Sequence, residues 1–162
     1  KRLVIIWHSM TGGSEALARA AAEGAATEQA VDMHLLPADE AQPADLLYAD
    51  GYIFVFPENL AAISGVMKAF FDRLYYPCLG QIEGRAFAAI VCAGSDGRNA
   101  VAQAERIATG WRLKKVADSV IVCTHAQTPE AILAPKTISE ADLAKARETG
   151  AALAAGLALQ IF

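Results

Sequence analysis

Short apolar runs alternate along the chain with longer stretches in which apolar residues recur every three or four positions. Residues 3–7, LVIIW, are continuous, apolar and rich in β-branched side chains, which suits a strand buried on both faces. Residues 31–36, 52–56, 86–93 and 116–123 read as four further strands. Pro57 is expected to end the third, because proline has no N–H for the ladder. Between the strands the period becomes helical. Leu17, Ala20, Ala21 and Gly24 share a stripe within 13–26, and 39–49 reads as a short helix interrupted by Pro43. Ile63, Val66, Met67, Phe70, Phe71 and Leu74 form a full apolar face, with Lys68 and Asp72 four apart on the wet side. Ala100, Ala104, Ile107, Ala108 and Trp111 line a fourth helix, and 139–159 forms the last. Strands alternating with helices predict an α/β fold: a doubly wound, three-layer sandwich around a five-stranded parallel sheet with right-handed crossovers. Ligands of such sheets sit beyond the carboxyl ends of the strands. That rule selects segments 8–15, 57–65 and 93–99.

Composition narrows the classes. With 162 residues, 54% apolar, and no linker or repeat, the chain reads as a single domain, 1–162, with a sizeable core. Fourteen basic against eighteen acidic residues give a net charge of −4, which argues against nucleic-acid binding. No apolar segment approaches the roughly 20 residues of a membrane span. The start KRLVIIW enters a strand without a signal-peptide cleavage pattern. Cys78, Cys92 and Cys123 have no paired spacing, as expected of free thiols in a cytoplasmic protein.

The first selected segment contains Ser9, Met10, Thr11, Gly12, Gly13 and Ser14. Backbone N–H groups and the positive end of a helix dipole can hold a phosphate there. The two glycines let the backbone curl close, and three hydroxyls add donors. An ordinary N-cap accounts for one hydroxyl, not three. There is no G-x-x-x-x-G-K-[ST] and no G-x-G-x-x-G, so neither a triphosphatase loop nor a dinucleotide fingerprint is present.

The pattern S-x-T-G-x-[ST] after the first strand resembles the FMN-phosphate loop of flavodoxins and flavodoxin-like reductases. PENLAAISGVMKAFFDR, residues 57–73, looks like the loop and helix of the reductase branch, which includes NAD(P)H-dependent FMN reductases and tryptophan-repressor-binding-protein-like quinone reductases. The matching features are Pro57, Ser64-Gly65, Lys68 and Phe71-Asp72-Arg73. AGSDGRN, residues 93–99, occupies the place of the family's last flavin loop. The resemblance implies a flavodoxin-like sheet of order 2-1-3-4-5, FMN as cofactor and NAD(P)H as electron donor. Hydride would then pass through flavin N5 to a small-molecule quinone or flavin acceptor. It also implies that the isoalloxazine edge meets Pro57, Glu58, Asn59, Leu60 and Ala61 on one side, and Ala93, Gly94, Ser95, Asp96 and Gly97 on the other. Backbone N–H groups, Asn59 and Ser95 would donate there; Glu58 or Asp96 would accept.

Two departures shape the reading. Neither flavin-edge segment contains an aromatic residue, and Ala61 stands where many relatives have glycine. An unshielded ring face favours a two-electron reductase over the alternative, an electron-carrying flavodoxin. Because the cofactor carries the chemistry, no catalytic side chain and no metal ligand is assigned. His8 is expected either to touch the flavin or a substrate or to end its strand bonded to backbone, and Met10 to offer its backbone N–H to the phosphate with its side chain beside the ribityl chain or the core. Tyr75 and Tyr76 read as core or interface aromatics, which leaves a homo-oligomer open. Segment 124–138, with Pro129 and Pro135, exceeds a usual connection and reads as a lid or an oligomer contact. A hydrolase lacks its G-x-S-x-G elbow here. A phosphoacceptor domain would need acids where Trp7-His8 and Phe56-Pro57 stand.

Overall fold

The computed structural model describes residues 1–162. In chain order the elements are β1 (Arg2–Trp7), α1 (Gly13–Ala25), β2 (Asp32–Pro37), α2 (Pro43–Leu47), β3 (Gly51–Asn59), β4 (Ala62–Ile63) and α3 (Gly65–Cys78). There follow β5 (Ala86–Ala93), α4 (Arg98–Gly110), β6 (Lys114–Lys115), β7 (Val120–Cys123), α5 (Pro129–Leu133) and α6 (Glu140–Ala158). Parallel pairing runs β2-β1-β3-β5, with β6 and β7 sharing the outer edge of β5. This is the expected flavodoxin-like winding, but the sheet has seven strands rather than five.

The extra strands have local causes. The fifth expected strand is broken: β6 pairs with Ala86 and Phe87, β7 with residues 90–93, and residues between them leave the ladder. Glu105 of α4 anchors both ends of the break, holding Lys115 Nζ at 2.7 Å and accepting from Ser119 Oγ at 2.8 Å. Meanwhile β3 continues through Pro57 to Asn59 and turns back as antiparallel β4. Pro57 does not stop it, because His8 already donates its N–H to the Val55 carbonyl at the end of β1. Two residues further along, the N–H that Pro57 lacks would face no neighbouring strand. Ile63 consequently belongs to β4 and not to the helix. Pro43 opens α2 instead of interrupting it, its fixed φ suiting a first helical turn.

Strand alternation feeds two cores. Val4, Ile6, Tyr52, Phe54, Phe56 and Val91 face α2, α3 and α4, where Phe70, Phe71 and Trp111 are buried. Leu3, Ile5, Ile53, Val55 and Ile90 face α1 and α6. These two helices touch through glycine: a Cβ on Gly24 would overlap the Arg147 carbonyl, and one on Gly150 the Ala21 carbonyl. No helix is long and apolar enough to cross a membrane.

Candidate functional site

The carboxyl ends of β1, β3 and β5 open on one cleft of about 140 Å³. Of the residues expected there, Met10, Thr11, Pro57, Glu58, Asn59, Ala93 and Gly94 line it. Cys92 joins them from β5. The far wall is Thr124, Ala126, Ile132, Leu133 and Lys136, from the segment carrying α5. The volume is below the roughly 300–1,000 Å³ of most small-ligand sites, and α5 contributes Ile132 and Leu133 to its lining.

The first segment is shaped for an anion. Gly12 lies in the left-handed region, at φ +90°, and starts α1 without any side chain capping its first turn. The N–H groups of that turn have no intrahelical acceptors, so they and the helix dipole favour negative charge. Ser9 Oγ accepts the Gly12 N–H at 3.0 Å, which curls the loop. Ser14 Oγ is the one buried side-chain polar atom of the chain without a hydrogen-bond partner. Such an orphan calls for a ligand, since an unpaired buried hydroxyl is costly. Gly13 cannot be larger, because a Cβ there would come within 2.7 Å of Cys92 Sγ.

The second segment is a hairpin. Its two turn residues, Leu60 and Ala61, take φ of +50° and +60°, a turn that normally recruits Asn-Gly. Both lie at the tip, outside the cleft lining, and Leu60 is fully exposed. Asn99 Nδ2 donates to the Ala61 carbonyl at 2.5 Å, and Gln103 Oε1 accepts the Ile63 N–H at 2.9 Å. One turn apart on α4, these two side chains brace the hairpin. Asn59 Nδ2 reaches Met10 Sδ at 2.9 Å, tying the second segment to the first. Met10 is 64% exposed and lines the cleft, so its side chain is not part of the core.

In the third segment Ser95 and Asp96 are exposed and stand outside the lining. The Arg98 guanidinium, 2.6 Å away, holds the Asp96 carboxyl below the usual carboxylate range. Gly97 repeats the device of Gly12, starting α4 at φ +84°. Thr124 and His125 donate backbone N–H groups to the carbonyls of Ala93 and Gly94, at 2.9 and 2.8 Å.

Two neighbours complete the electrostatics. His8 donates its backbone N–H to the Val55 carbonyl of the neighbouring strand, while its ring Nδ1 meets the buried Ser64 Oγ at 2.9 Å. Burial lowers its pKa against the opposing pull of Asp39. Burial pushes the Cys92 thiol up to about 11, with the Lys136 charge opposing, so this sulfur is a neutral wall. Asn99 closes the selected segment 93–99, but Gln103, Cys92 and Lys136 carried no local site signal in the sequence; the unusual length of 124–138 was the only hint at the last.

A doubly wound sheet with an anion-ready helix start, flanked by two more strand-end segments, defines the flavodoxin-like class. Solved structures agree: a flavodoxin from the Archaea matches 97% of this chain and 99% of its own, with a TM-score of 0.78 and 15% identity. A WrbA-like flavodoxin from Agrobacterium tumefaciens matches 98% of both chains, with a TM-score of 0.70 and 22% identity. The chain belongs to the NADPH-dependent FMN reductase family, whose model matches residues 2–127. A flavodoxin of Aquifex aeolicus is 33% identical across 59% of this chain and 52% of its own. An NAD(P)H dehydrogenase (quinone) of Acidithiobacillus ferrooxidans is 33% identical across 44% of this chain and 46% of its own. The chain thus spans about half the length of the curated relatives it matches.

Proposed function

We propose that the chain is an FMN-dependent oxidoreductase that takes electrons from NAD(P)H and passes them to a small quinone or flavin acceptor, in the cytoplasm. The observation that carries this reading is the cleft lining, which contains no aromatic ring from any of its walls. A flavin there keeps one face open to a planar donor or acceptor. The residues fit the cofactor: the uncapped α1 start and the orphaned Ser14 hydroxyl suit its phosphate, with Thr11 and Ser9 beside them. Backbone groups of residues 57–59 and 93–94, which line the cleft, would hold the ring edge. When bound, FMN supplies the redox chemistry, accepting and releasing an electron pair with a proton. The chain's own contribution is placement. Asn99 and Gln103 hold the β3–β4 hairpin at a set height, and Ile132 and Leu133 supply an apolar wall of the cleft. A second reading, an electron carrier served by a separate reductase, is favoured by the relative named flavodoxin. An anaerobic titration of the FMN-loaded protein with NADH and NADPH separates them. Bleaching of the flavin absorbance by either nucleotide supports the reductase. A flavin that stays oxidised under both, yet is reduced by an added flavodoxin reductase, establishes the carrier.

A further inference from the structure

Lys136 lies beyond the stretch matched by the family model, yet it stands beside the anion-shaped loop. Its backbone N–H donates to the Thr11 carbonyl at 2.8 Å, and its Cβ lies 3.4 Å from where a Gly13 side chain would begin. The lysine therefore starts against the first residue of α1. A flexible four-carbon stem gives its ammonium reach over the helix start.

The ammonium donates to two neutral acceptors, the carbonyls of Ile132 at 2.8 Å and Ala134 at 2.5 Å. An ammonium has three donors, so one is left over. No carboxylate lies within ion-pair distance of it, unlike most lysines and arginines of this chain, so its charge has no counter-ion. The loop that its backbone joins offers an uncapped helix start and, at Ser14, an unpartnered buried hydroxyl, to which Lys136 adds an unneutralised cation, all suited to an anion.

We propose that Lys136 is the cation of the cofactor site, donating its free N–H to the FMN phosphate while its other two keep the end of α5 in place. The motif-bearing loop lacks a lysine of its own, and this one is supplied from the long connection before α6. One residue then joins phosphate binding to the wall that narrows the cleft. The proposal rests on FMN being the cofactor.

The experiment compares FMN and riboflavin binding, by quenching of flavin fluorescence, in the unsubstituted chain, Lys136→Gln and Lys136→Arg. The expected result for Lys136→Gln is an FMN dissociation constant raised about ten- to hundredfold, as for a lost bond to a charged group, with riboflavin changed less than twofold. Lys136→Arg, which keeps the charge, should recover most of the FMN affinity. The FMN affinity of the unsubstituted chain should also fall with added salt more steeply than that of Lys136→Gln. Equal losses for FMN and riboflavin would mean that Lys136 only braces α5, and would overturn the assignment alone. Unchanged FMN affinity in Lys136→Gln would overturn it too. An unsubstituted chain that binds neither flavin would overturn the cofactor reading along with it.

Discussion

Ser14→Ala should move two measurements in opposite directions. The side chain is 1% exposed and its Oγ has no partner, so the cofactor-free fold carries an unsatisfied hydroxyl. Mutational data put that penalty at about 1–3 kcal/mol, and alanine's higher helix propensity adds a few tenths. We predict that the cofactor-free variant gains about 1 kcal/mol or more, which raises Tm by roughly 2–4 °C per kcal/mol at this chain length. Binding should respond oppositely. If the hydroxyl donates to a phosphate, its loss removes a bond to a charged group, worth about 1.5–3 kcal/mol. The FMN dissociation constant should then rise on the order of tenfold to hundredfold, while riboflavin binding holds steady. Calorimetry of the cofactor-free protein and fluorescence titration with both flavins measure the two effects. A lower Tm would show that the hydroxyl is satisfied within the fold. Intact FMN affinity would show that it faces no phosphate.

Three further predictions follow from the same geometry. Thr11→Val should weaken FMN by about 1.5–3 kcal/mol and leave riboflavin nearly indifferent, whereas a β-branched residue at Gly12 should cost more, given its φ of +90°; equal losses of both flavins in Thr11→Val would remove the phosphate role. Ala61→Gly should stabilise the chain by about 1 kcal/mol in urea unfolding, since relief of a left-handed φ exceeds the entropy glycine adds to the unfolded state, and a lower midpoint would contradict the strain. His8 has a folded pKa below its unfolded one, so its neutral form favours folding above the unfolded value, and that stability is lost as pH falls through the window down to the folded pKa. His8→Gln should therefore lose less stability between pH 7.5 and 5.5 than the unsubstituted chain, and identical losses would argue that His8 contributes nothing.

The sequence by itself determined what short-range periodicity can encode. Apolar runs such as 3–7 and 52–56, separated by helical stripes, already specify buried strands and crossovers, hence the parallel sheet and the end at which a ligand site is to be sought. The glycines and hydroxyls of residues 9–14 also marked a candidate anion loop locally, because their composition exceeds what an ordinary N-cap needs. Tertiary structure decided the rest. Whether Pro57 ends β3 depends on where β1 stops, a fact about a different strand. The β3–β4 hairpin forms through Leu60-Ala61, without a favourable turn pair, because Asn99 and Gln103 brace it from about forty residues away. The fifth strand splits around Glu105, which belongs to a helix. Lys136 reaches Thr11 only after the sheet has wound past it, and nothing near it in the chain marks an anion site. Periodicity reports how each segment meets the core, whereas a site is assembled from chain ends and loops whose partners are remote, and only folding brings those together.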